Sequence, residues 1–168
     1  MSLIFDLLNR LNETAFSTAI RESDYWFSAI ETVHVLGLAL MAGTIAVVDL
    51  RLLGVVFRGQ RADQLLSRVL PVTWTGFAVM AVSGGLLFVS EAAKLYGNPA
   101  FWVKMGLLVI AGLNPLVFHS TVYRSVGDWG AEVAAPRPAR LAAASSLLLW
   151  TTIIVVGRVI AYFPEGGL

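Results

Sequence analysis

Residues 26–50 read WFSAIETVHVLGLALMAGTIAVVDL, and this stretch decides the fold. Between Trp26 and Leu50 the apolar run is broken by Glu31 and His34, and Asp49 stands at its edge. A helix needs ~20 such residues to cross the hydrocarbon core of a bilayer. Three further stretches meet the same requirement, at about 72–92, 100–123 and 141–163. The third of the four is interrupted by Lys104 and contains Pro115, and the fourth is interrupted by Arg158. The expected fold is all-α: an integral membrane four-helix bundle forming a single transmembrane domain over residues 1–168.

Composition points the same way. Hydrophobic residues make up 57% of the 168 positions and charged residues 14%. Soluble domains run at roughly 45–50% apolar with glycine included and about 25% charged. Mean hydropathy is +0.75. A soluble globule of this length has too much surface for its volume to bury so much apolar area. A soluble enzyme and a disordered chain are therefore excluded, and the lipid bilayer is the expected surrounding. The formal net charge of +1 leaves no footprint for nucleic acid. The absence of cysteine excludes disulfides, thiolate metal sites and Cys-ligated iron–sulfur clusters.

The punctuation between spans is specific. Pro71 precedes the second span, and Asn98-Pro99 supplies a cap and a first-turn proline for the third. Pro138 opens the fourth and Pro164 ends it. Trp26, Trp74, Trp102, Tyr123 and Tyr162 sit near span ends, as in an aromatic belt. Leu3, Ile4, Leu7, Leu8 and Leu11 alternate at helical spacing with Asp6, Asn9, Arg10 and Asn12, which predicts an N-terminal amphipathic helix in the membrane interface. Leu65, Leu66, Val69 and Leu70 suggest a second small interfacial helix in the first connection. The connections at 51–71 and 124–140 carry Arg51, Arg58, Arg61, Arg68, Arg124, Arg137 and Arg140, against Arg10, Arg21 and Lys94 on the opposite side. The positive-inside rule then puts those connections in the cytoplasm and both termini in the periplasm of a bacterial inner membrane.

Ionisable residues inside such spans are costly and mark candidate sites. They are Glu31, His34, Lys104, His119 and Arg158, with Asp49, Glu91 and Arg124 at the edges. Glu31 and His34 share a helix face, and Gly37 lies one turn on. His34 reads in two ways: an axial haem ligand with Gly37 leaving room for the macrocycle, or a buried histidine bonded to Glu31 or a carbonyl. His119 reads as a second ligand or as a side chain snorkelling to water. The two histidines differ in depth by about 16 Å. That leaves two haems in separate layers, one haem on His34 with another second ligand such as Met80 or Met105, or no haem. Lys104 and Arg158 pair with Glu31 and Glu91, or hold haem propionates. Asp49 reads as an interfacial ion pair with Arg51 or Arg124, ahead of a proton-transfer site. Ser83-Gly84-Gly85 allows close helix approach.

The segments from Ile30 to Gly37, from Asp49 to Gly54 and from Trp102 to Val109 resemble a small bacterial four-helix membrane family without assigned function. More distantly they are similar to HemJ-type protoporphyrinogen oxidases and CopD-type copper-resistance membrane proteins. That resemblance covers under half the chain. It implies a compact helical bundle that binds haem b, with His34 matching the haem-ligand histidine and Lys104 the lysine that opens a later span. It implies the fold and haem binding, and not the oxidase activity.

The resulting expectation is a haem b protein of the membrane, engaged in electron transfer. Its cofactor site draws on His34, His119, Lys104, Arg158 and Glu31, and a quinone or a protein serves as redox partner. A small proton- or ion-coupled transporter, or an accessory subunit of a larger complex, is the alternative. A four-span chain is also small enough to self-associate into a homo-oligomer.

Overall fold

The computed structural model describes residues 3–121 and 135–162, with the side chains of 119 and 121 outside that set. The described residues are helical throughout apart from short connections. The elements are α1 (Leu3–Asn12), α2 (Ala15–Arg21), α3 (Asp24–Leu52), α4 (Ala62–Ser90), α5 (Ala92–Tyr96), α6 (Pro99–Thr121) and α7 (Arg137–Val159), with a 3-10 turn at Ile160–Tyr162.

Four helices, α3, α4, α6 and α7 with its terminal turn, are long and apolar enough to cross a membrane. In the most apolar stretch of each, only 6% to 22% of residues are buried. Leu36, Val82, Leu116 and Leu148 are each more than 60% exposed. Leaving such side chains in water costs about 1.5–3 kcal/mol apiece relative to burial. These helix surfaces are therefore matched to an apolar medium and not to water.

The spans start and stop for local reasons. Ser23 caps α3 by accepting from the Trp26 N–H at 3.2 Å. The Asn98 side chain accepts from the N–H groups of Ala100 (3.0 Å) and Phe101 (3.3 Å), so the cap expected from Asn98-Pro99 is present. Pro138 lies in the first turn of α7, where its missing N–H costs nothing.

The N-terminal amphipathic helix expected over Leu3–Asn12 is α1. Thr14, whose hydroxyl accepts from the Ser17 N–H, then starts a separate α2, and a short helix, α5, stands between α4 and α6. The largest difference from expectation is at Pro71, which lies inside α4 instead of before it. A proline removes one helical hydrogen bond but does not stop a helix held on both sides by packing. The helix expected at Leu65–Leu70 is thus the first part of α4. At ~1.5 Å per residue the 29 residues of α4 run to about 43 Å, well beyond a ~30 Å hydrocarbon core.

Packing divides the bundle into two antiparallel hairpins. α3 packs chiefly on α4 and α6 on α7, and α3 against α7 is the main seam between the hairpins. The first hairpin is tight because glycines line it. A Cβ on Gly76 would stand 2.8 Å from the Met41 nitrogen, and one on Gly37 would stand 2.8 Å from Val79 Cγ1. Thr73 Oγ1 donates to Thr44 Oγ1 across the same interface at 2.9 Å. At the arginine-rich end Leu52, Ala62, Ala135, Ala139 and Ala143 form a small apolar core.

At the other end α2 is wedged against the end of α4. Fully buried Ser17 donates through Oγ to the Val89 carbonyl at 2.8 Å. Arg21 reaches the carbonyls of Asn12 (2.9 Å) and Ser90 (3.3 Å). α1 lies along α5, with the rings of Phe5 and Tyr96 at 6.4 Å.

Candidate functional site

His34 stands in the middle part of α3, half-buried and turned to α4. Its Nδ1 is 3.0 Å from Ser83 Oγ. The Ser83 hydroxyl spends its own proton on the Val79 carbonyl at 2.6 Å. Ser83 Oγ is therefore the acceptor and Nδ1–H the donor. A neutral ring in this contact carries its proton on Nδ1 and its lone pair on Nε2. Such a fixed tautomer is what a histidine needs to ligate a metal or accept a proton.

The partner of His34 is thus Ser83 and not Glu31. Glu31 is exposed and has no ion pair among the described residues. Glycine next to the imidazole is also not the expected one. The space beside Gly37 is filled by Val79 and Met80 of α4, so this glycine serves helix contact and leaves no room for a macrocycle. The glycine facing the ring is Gly84. A Cβ there would stand 3.0 Å from His34 Cε1 and 3.4 Å from Nδ1. Ser83-Gly84-Gly85 was readable as a close-approach motif; that it presents an acceptor to His34 and receives its ring depends on how α3 and α4 are rotated, which the sequence does not specify.

Lys104 belongs to the second hairpin. Its side chain lies along α7 at Gly157, with Nζ 3.6 Å from the position a Cβ would take there. His34 and Lys104 thus stand on different hairpins, His34 turned to α4 and Lys104 to α7. Arg158 is exposed at the end of α7. Glu91 pairs with Lys94 at 3.0 Å, so among the described residues it is not the partner of Lys104 or Arg158. Met80 is buried against Gly37 and acts as packing.

His119 belongs to the last turn of α6, and its side chain lies outside the described residues. Tyr123 and Arg124 lie outside them altogether, as does Pro164. Along their helices His34 lies ~15 Å from Asp24, and His119 lies ~30 Å from Pro99. The difference in depth read from the sequence persists with the observed boundaries.

At the arginine-rich end Arg51 does not pair with Asp49. It is buried and donates through Nε (2.9 Å) and Nη2 (2.6 Å) to the Gln60 carbonyl. Arg58 donates to the Gly54 carbonyl in the same connection, which turns through positive φ at Gly54 (75°) and Phe57 (51°). Arg61 pairs with Asp63 at 3.1 Å. No group of three or more His, Cys, Asp or Glu side chains suited to a metal ion occurs among the described residues.

The chain belongs to a family of unknown function (DUF6644), whose sequence model matches residues 11–163. No curated protein and no solved structure matches it.

Proposed function

We propose that the chain is a multi-pass protein of the bacterial inner membrane that binds haem b through Nε2 of His34 and carries electrons. The observation that supports this reading is the Ser83 hydroxyl, which accepts a hydrogen bond from Nδ1–H of His34 and leaves Nε2 with its lone pair. Outer-shell bonds of this kind orient a ligating imidazole and raise its basicity. Gly84 lets the imidazole lie close against the backbone of α4. Lys104, with Arg158 at the rim of the same end, supplies cations for carboxylates such as propionates. Bound haem would supply a one-electron carrier whose potential follows from its ligand, its burial and nearby charge.

Further parts of the reading follow from the sequence. The arginine-rich end faces the cytoplasm and both termini the periplasm. α1 lies in the outer interface. The electron partner is a quinone or a protein. The distant resemblance to HemJ-type proteins at His34 and Lys104 points in the same direction.

The test is the absorption spectrum of the detergent-purified chain, oxidised and reduced, with a pyridine haemochrome count per chain. The expected result is a b-type spectrum that is lost in His34→Ala. A colourless wild-type chain overturns the reading and favours the alternative of a small ion-coupled carrier or an accessory subunit. A spectrum unchanged in His34→Ala removes His34 as ligand.

A further inference from the structure

At the arginine-rich end, far from His34, the structure holds a second polar group that this reading does not use. Asp49 is 6% exposed. Ser146 of α7, across the seam between the hairpins, stands within reach of its carboxyl. One carboxyl oxygen, Oδ2, is buried and has no hydrogen-bond partner among the described residues. The nearest arginine in sequence, Arg51, is turned to the Gln60 carbonyl.

We propose that the Asp49 carboxyl is a proton-binding site, carried as the neutral acid and exchanging its proton with water at the arginine-rich end. Three observations carry this. A charge buried without a cation is far costlier than a neutral polar group, and one oxygen left unpartnered adds to that cost. Ser146 can bond either the acid or its anion, so it holds the carboxyl in place in both states. Asp49 lies three residues before the end of α3, or ~5 Å along the axis, so its proton has about one helical turn to travel.

Among the described residues the charged groups at that end are Arg51 on α3, Arg58 in the connection, Arg61 with Asp63 and then Arg68 on α4, and Arg137 and Arg140 on α7. Arg58, Arg68, Arg137 and Arg140 are exposed to solvent. Among the described residues none forms an ion pair with Asp49. The inference does not depend on a cofactor at His34.

Infrared spectroscopy of the full chain in lipid at neutral pH tests it. The expected spectrum contains a carboxylic-acid C=O band that moves in D2O and is absent from Asp49→Asn. Ser146→Ala, which keeps the carboxyl, is expected to shift that band to higher frequency by removing its hydrogen bond. Should Asp49→Asn fail to fold, the Ser146→Ala shift decides alone: a moved band supports the site, and no moved band overturns it. A wild-type spectrum with no band removed by Asp49→Asn shows a carboxylate and overturns the proposal. A band that stays fixed in D2O overturns exchange with water.

Discussion

A methyl group has no place between Gly76 and Met41: its carbon would stand 2.8 Å from the Met41 backbone nitrogen and 3.0 Å from the Met41 Cβ. The neighbour is backbone, so it cannot swing aside, and the two helices must separate. Gly76→Ala is expected to destabilise the first hairpin by about 1–3 kcal/mol. Gly106 on α6 has open space around it, and Gly106→Ala is expected to leave stability unchanged or raise it by up to ~1 kcal/mol through helix propensity. Thermal unfolding of both variants in one detergent checks the contrast; equal midpoints would contradict the tight crossing.

Ser83→Ala removes the acceptor that fixes the His34 tautomer. If His34 ligates haem, affinity is expected to fall about 10–100-fold while the chain remains folded. A spectrophotometric haem titration of wild type and variant reads this directly. Gly84→Ala provides a companion variant, because its methyl would press on the imidazole at 3.0 Å and must shift the ring by a few tenths of an ångström. An unaltered absorption spectrum in both variants would separate this turn of α4 from any cofactor.

Asn98 does two jobs at the start of α6. Its Oδ1 caps the helix, and its Nδ2 donates to the Ile160 carbonyl at 3.0 Å, tying α6 to the end of α7. Asn98→Asp keeps the cap and loses the tie; Asn98→Ala loses both. The expected order of stability is wild type, then Asp, then Ala, with the Ala variant lower by about 1–2 kcal/mol from the cap alone. Equal stabilities of the two variants would show that the cap contributes little.

The chain has no cysteine, so single cysteines report sidedness without background. Gly59 in the arginine-rich connection and Gly97 between α5 and α6 are both exposed, and neither position would crowd a Cβ. In intact cells with a permeabilised outer membrane, a membrane-impermeant maleimide is expected to label Gly97→Cys and not Gly59→Cys. The reverse pattern would invert the orientation.

Span number and span ends were legible because they rest on local signals: apolar runs, Asn98-Pro99, and Pro138. Pro71 misled, since a proline is a boundary only where nothing else holds the helix, and α3 packs along α4. Ionisable residues in the spans were equally visible, but their partners were not. His34 meets Ser83, which is 49 residues away, and Glu91 meets Lys94 on its own side. Which faces meet depends on helix rotation. With apolar residues on nearly every face of these helices, the sequence pattern carries little record of it. Gly37 and Gly84 illustrate the point: Gly37 packs on Val79 and Met80 of α4, whereas Gly84 receives the His34 ring, and only the placement of the crossing separates the two.

The seat of α2 on α4 also imposes an order on biosynthesis. Ser17 closes on a carbonyl 72 residues later in the chain, and that carbonyl is among those a helix end leaves without a partner. As the ribosome delivers the chain, α2 emerges before α3 and α4 exist. It can reach its place only after the first hairpin has turned back to the side where it began. Until then α1 and α2 must wait in contact with something else. α1, with Leu3, Ile4 and Leu7 turned outward, is suited to wait at the lipid surface. The closing of Ser17 and Arg21 on the end of α4 is thus a late event, and it records that α3 and α4 have both formed and paired.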